Sequence, residues 1–164
     1  MPPVKTPRAS TKRRVRAQKR DTGAFWPALG AALVSSGTMA ALDLGWLGGI
    51  ARGFYDRSLK GLKRDPVNAP AAGLFYAFYA TALCGYAVYG AKDPLDAVKR
   101  GAGLGLVAYG TYELTNWSVI KNWPAKLVPV DIAWGVALTS ASAYAGKRTL
   151  DALKQRRASQ LSAG

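Results

Sequence analysis

Four stretches of this chain, at about residues 24–50, 69–91, 101–120 and 127–146, are nearly free of charge, and this decides what the chain can fold into. A helix needs roughly 20 apolar residues to cross about 30 Å of hydrocarbon, and each stretch is near that length. Lys and Arg occur only at their margins. Four helices of a water-soluble bundle would each show a polar outer face, and these do not. The residues predict an all-α integral membrane protein, a four-transmembrane-helix bundle within one domain of 24–146. Composition agrees once position is considered: 49% of residues are hydrophobic, yet mean hydropathy is close to zero. The charge is gathered at the ends and in the connections.

The net charge of +14 raises the question of nucleic acid. Much of it lies in residues 1–23, where Lys12, Arg13, Arg14, Arg16, Lys19 and Arg20 follow Lys5 and Arg8 against the single acid Asp21. No apolar periodicity runs through this arm, so it is expected to be disordered. No aromatic residue interleaves its charges for base stacking, which disfavours nucleic acid. The leading expectation is a topology determinant that binds anionic lipid headgroups. An organelle transit peptide competes, because the arm is Arg-rich, hydroxyl-bearing and almost free of acid. A secretory signal is disfavoured, since the apolar block that follows exceeds the usual 7–15 residues.

Orientation follows from the basic residues. With four spans, the arm, the second connection and the basic tail of 147–164 hold 16 Lys and Arg, against 7 in the other two connections. Both termini are therefore expected on the cytoplasmic side, or the matrix or stromal side of an organelle. The expected location is a bacterial inner membrane or a mitochondrial or plastid inner membrane, with the lipid bilayer as first partner.

Each helix carries its own marks. The first opens with Phe25 and Trp26, suited to an interfacial belt, and holds Pro27 near its start. Ser35, Ser36, Met39 and Asp43 then share one side. The connection of 51–68 alternates apolar and charged residues and reads as a surface-lying segment anchored by Phe54, Leu59 and Leu62. In the second helix Tyr76, Tyr79, Leu83 and Tyr86 form a stripe that reads first as packing. Pro94 is expected to open a short turn before the third helix. Gly101 and Gly105 form a small-xxx-small pair that lets another helix approach closely. Trp123-Pro124 marks the last turn, and the tail is expected to start helical and end flexible.

The feature that bears on function is a set of polar groups inside the apolar blocks. At helical spacing Gly105, Tyr109, Glu113, Asn116 and Trp117 fall on one stripe of the third helix. Asp43, Tyr76 and Asp131 sit on the other three. At 1.5 Å per residue, Asp43, Tyr76, Glu113 and Asp131 come out roughly 5–11 Å below the outer surface. Intramembrane carboxylates must turn toward protein or water, so these groups are expected to share one cluster. No span holds an interior cation, which leaves Lys121 and Lys126 at the rim as the nearest counter-ions. Three acids in a low-dielectric site cannot all stay ionised. One reading is interhelical hydrogen bonding through Asn116, Thr111, Thr115 and the Tyr hydroxyls. The other is a proton or cation site open to the outer face.

Several chemistries are excluded. The chain has no histidine, so histidine-ligated haem, histidine zinc sites and a Ser-His-Asp triad are ruled out. The single Cys84 cannot form an internal disulfide and reads as a packed side chain. No catalytic residue, metal ligand set or cofactor is expected.

Taken in order, Asp43-Leu44-Gly45-Trp46-Leu47, Leu74-Phe75-Tyr76, Tyr109-Gly110-Thr111-Tyr112-Glu113-Leu114-Thr115-Asn116, Trp123-Pro124 and Asp131-Ile132-Ala133-Trp134-Gly135 resemble domain-of-unknown-function family 2177. The resemblance covers about residues 28–146 and implies a small four-helix membrane protein without an assigned activity. Glu113 stands where that family's motif has Asp, which keeps the charge and adds one methylene of reach. The long basic arm is also extra.

Two function classes follow. The first is a structural, accessory or assembly subunit of a larger membrane complex, favoured by small size, a GxxxG-type face and basic ends. The second is a small proton- or cation-linked transporter built on the carboxylate cluster, which with only four helices is expected to work as a homo-oligomer. An enzyme ranks third.

Overall fold

The structure, a computed structural model, describes the backbone of residues 8–163 and the side chains of residues 24–163. All regular structure among the described residues is helical. α1 spans Arg8–Gly45 and passes into a π-helical turn, Trp46–Ile50. A short α2 covers Arg52–Ser58. α3 spans Ala69–Ala82 and widens into a second π-helical stretch, Leu83–Tyr89. α4 runs Pro94–Val119 and α5 runs Leu127–Ser162.

Local chemistry sets most of these boundaries. Asn68 caps α3 by accepting from the Ala71 N–H at 3.2 Å, with Pro70 in the first turn. Asp93 caps α4 by accepting from the Asp96 N–H at 2.8 Å. Pro94 therefore opens α4 itself, not a separate turn, and the helix begins seven residues before the apolar block. Asn122 adopts a left-handed φ of 67° in the turn after α4, a conformation Asn tolerates. The first helix begins at Arg8, where the sequence predicts an irregular arm, because Arg, Lys, Ala and Gln are all good helix formers. The headgroup candidates Lys12, Arg13, Arg14, Arg16, Lys19 and Arg20 lie outside the described side chains. The tail likewise continues α5 without a break to Ser162.

Three segments are long and apolar enough to cross a membrane: Ala24–Ile50, Ala69–Tyr89 and Leu127–Ser162. α4 is as long but less apolar, since Glu113, Asn116 and several Gly and Thr residues dilute it.

α5 is the hub of the packing, with α4 along one side and α1 along another. Tyr79, Leu83, Ala87, Ala97 and Leu138 meet Met39 in the main core. Small residues make the α4–α5 approach close. A Cβ on Gly101 would lie 2.8 Å from the Thr139 carbonyl oxygen, and one on Gly105 would lie 3.0 Å from Thr139 Oγ1 and nearer still to the Gly135 backbone. Close backbone-to-backbone packing and interhelical hydrogen bonds are the contacts that hold membrane helices together where no hydrophobic drive acts. Ser35 adds one such bond, its hydroxyl donating to the Ser142 carbonyl at 2.9 Å between α1 and α5. Further along α5, Lys147 is buried and pairs with Asp151 at 2.9 Å.

Candidate functional site: a carboxylate and aromatic network

The three acids of the apolar blocks are buried at one end of the bundle. Glu113 is 0% exposed, Asp43 6% and Asp131 8%. Carboxylates so enclosed need donors, and here the donors are aromatic.

Asp43 on α1 takes two of them. Tyr76 of α3 donates its hydroxyl to Oδ2 at 2.6 Å, and Trp134 of α5 donates its ring N–H to Oδ1 at 3.1 Å. Trp134 in turn stacks on Trp46, at the start of the first π-helical turn, with ring centroids 4.4 Å apart. The Trp46 N–H donates to the Tyr55 hydroxyl at 3.3 Å, and that hydroxyl donates to Asp131 Oδ1. Burial first, and the Asp131 carboxyl next, push the Tyr55 hydroxyl up from its ordinary value, so it remains a donor.

Glu113 on α4 closes the far end. Its Oε2 accepts the Trp123 ring N–H at 2.9 Å. Its carboxyl also meets that of Asp131 at hydrogen-bonding range, while Oε1 is buried without a donor. Two carboxylates bring only acceptors to such a contact. The whole forms one continuous path, Tyr76–Asp43–Trp134–Trp46–Tyr55–Asp131–Glu113–Trp123, touching all five helices and the final turn.

The other residues of the sequence stripe take different places. Tyr109 lays its ring directly over Gly135, where a Cβ would collide with it, and meets Tyr79 edge-on at 6.3 Å. Asn116 does not join the carboxylates: it hydrogen-bonds the Tyr112 side chain one turn away on its own helix. Trp117 is exposed, since its position on the turn beyond Glu113 points off the α5 contact. Gly101 and Gly105 of α4 pack against α5 below the cluster. A second polar layer follows, with the Tyr79 hydroxyl 2.7 Å from Thr139 Oγ1 and Thr139 donating to the Gly135 carbonyl at 2.6 Å.

Lys121 and Lys126 form none of the ion pairs found among the described residues. The expected counter-ions are replaced by phenol and indole donors. Four of these, Trp46, Tyr55, Trp123 and Trp134, were not singled out by sequence as site residues. Tyr55 is the least visible. The connection that carries it reads as a surface segment, yet Tyr55 is buried with Ala51 and Leu127 against Trp46, Phe54, Leu59 and Trp123. Leu62, predicted as an anchor, is exposed because the chain leaves the bundle after Leu59.

A shallow apolar groove of about 450 Å³ runs outside the Trp46–Trp134 pair along Pro129, Val130, Ala133 and Ala137. None of the carboxylates lines it. Among the described residues no group of three or more potential metal ligands comes together.

Compared with known proteins, the chain matches one family over residues 29–147, described as predicted membrane protein (DUF2177). No curated protein and no solved structure matches it.

Proposed function

The chain belongs to the DUF2177 family of predicted membrane proteins, and on that premise we propose a four-span bundle that serves as a structural or accessory subunit of a larger membrane complex. α4 is the fourth span in this reading. It lies antiparallel on α5 from Gly101 opposite Thr139 to Glu113 beside Asp131, and its 26 residues extend about 39 Å at helical rise. If α5 crosses the bilayer, α4 crosses beside it. An even number of spans puts both termini on one side, which the distribution of Lys and Arg assigns to the cytoplasm, matrix or stroma.

The observation that carries the accessory reading is the way the carboxylates are used. Asp43 and Asp131 are bonded to aromatic donors of this same chain, drawn from different helices. Such a network fixes helices relative to one another and leaves the function to the outside of the bundle. There, Leu44, Phe78, Val107 and Val119 present wide apolar faces. α5 also extends about four turns beyond Gly146, with Lys154, Arg156 and Arg157 along it. These surfaces suit partner helices and an anionic partner or lipid surface, and no catalytic role is assigned.

Mass spectrometry of whatever co-purifies with the tagged protein in mild detergent tests this reading. A stoichiometric set of other membrane proteins is expected. Recovery of the isolated chain, or of a homo-oligomer alone, would overturn it. In the second case, replacing Asp43, Glu113 and Asp131 by amides and measuring ion flux in reconstituted vesicles becomes the decisive comparison.

A further inference from the structure

The contact between Glu113 and Asp131 is the one link in the network with no donor built into it. Glu113 is wholly enclosed, its Oε2 is occupied by the Trp123 N–H, and its Oε1 has no donor. Asp131 receives the Tyr55 hydroxyl on Oδ1, and its carboxyl meets that of Glu113. The titratable groups that face the pair are Asp43 from α1, Tyr55 from α2, and Tyr109 and Tyr112 from α4, with Tyr76 of α3 one bond further on, against Asp43. None is a cation. Arg52, Lys63, Arg100 and Lys147 are engaged elsewhere, with Asp56, Asp96 or Asp151.

Two adjacent carboxylates with no cation repel each other strongly in a low dielectric. A single proton resolves both difficulties, because it removes one charge and supplies the missing donor. We propose that Glu113 and Asp131 form a proton-binding site that holds one proton between their carboxyls, with the Tyr55 hydroxyl closing it on the Asp131 side. The proton joins α4 to α5, and its release leaves two charges facing each other across that interface. The site does not depend on any partner protein, so it stands or falls apart from the accessory role.

The chain helps the test, since Glu113 is its only glutamate. Infrared spectra of the full-length protein in lipid bilayers at neutral pH are expected to show a protonated-carboxyl C=O band. Glu113→Gln and Asp131→Asn should each abolish it, because either amide supplies the missing N–H donor. Asp43→Asn should leave it in place. A wild-type spectrum without the band overturns the proposal, and so does a band that survives either Glu113→Gln or Asp131→Asn. A check free of variants uses glutamate labelled with ¹³C at the side-chain carboxyl. The one resonance should move as pH is raised from neutral to alkaline, and a resonance fixed at the ionised position throughout would contradict the site.

Discussion

Trp46 and Trp134 stack with their rings 4.4 Å apart and only 8° from parallel, and each donates its N–H to a different arm of the same network. Trp134 reaches Asp43 and Trp46 reaches Tyr55. The pair thus joins the α1–α3 side of the cluster to the α2–α4 side. Trp134→Phe should keep the stacking and lose the donor, lowering stability by about 1–2 kcal/mol. Trp134→Ala should cost more, because the ring contact goes as well. Thermal unfolding in a single detergent reads the order, and a Trp134→Phe variant as stable as wild type would deny the hydrogen bond a role.

Gly135 is where α5 makes room for Tyr109. Gly135→Ala would drive a methyl into that ring and should destabilise by about 1–3 kcal/mol through overpacking. Gly103, on the same helix as Gly105, has nothing within 4 Å of an added Cβ. Gly103→Ala should therefore be neutral or stabilising by about 0.5–1 kcal/mol, from the helical preference alone. Melting both variants against wild type checks the contrast.

Tyr55→Phe removes the hydroxyl that holds α2 to Asp131 and accepts from Trp46. The expected outcome is local: faster amide exchange over residues 51–63, with α4 and α5 unchanged. Hydrogen exchange with mass spectrometry measures it. Uniform loss of protection across the chain would place Tyr55 in the global core instead.

The far end of the bundle carries an acid-sensitive element. Asp96 is held below its ordinary value of 3.8 chiefly by the Lys92 backbone N–H, with Arg100 adding to it. Because the folded value is depressed, its contribution is complete above 3.8 and is lost as pH falls through the lower folded value. Protection of the first turn of α4 should fade in that acid range and become flat with pH in Asp96→Asn. A slope that survives the substitution would assign it to another group.

Much of this was legible in the residues. The uncharged blocks at about 24–50, 69–91 and 127–146 match the three apolar segments, because absence of charge over a helical length is a one-dimensional signal. Counting rise puts Asp43, Glu113 and Asp131 at a common depth, and in the structure one path of aromatic donors runs between them. The donors were harder to read. Trp46 and Trp134 read equally well as belt residues, since indole suits the interface too. Tyr55 sits among Arg52, Asp56 and Arg57, and seven residues of α2 give too short a period to show which side faces inward. The assignment of Asn116 to the cluster failed for a related reason. Spacing along one helix shows which residues share a face, not which neighbour on that face is taken first, and Tyr112 is nearer.

The account rests on α4 crossing the bilayer beside α5, so the side on which each end of α4 emerges is the measurement to make. In a Cys84→Ala background, Arg64→Cys, Lys92→Cys, Lys121→Cys and Ser159→Cys place single thiols at exposed positions in the connections and tail. Sealed vesicles of both orientations are then treated with a membrane-impermeant maleimide. Labelling of positions 64 and 121 from one side, and of 92 and 159 from the other, is the result predicted for four spans with the carboxylate network at the outer end. Labelling of 92 and 121 from the same side would show that α4 does not cross, and would contradict it.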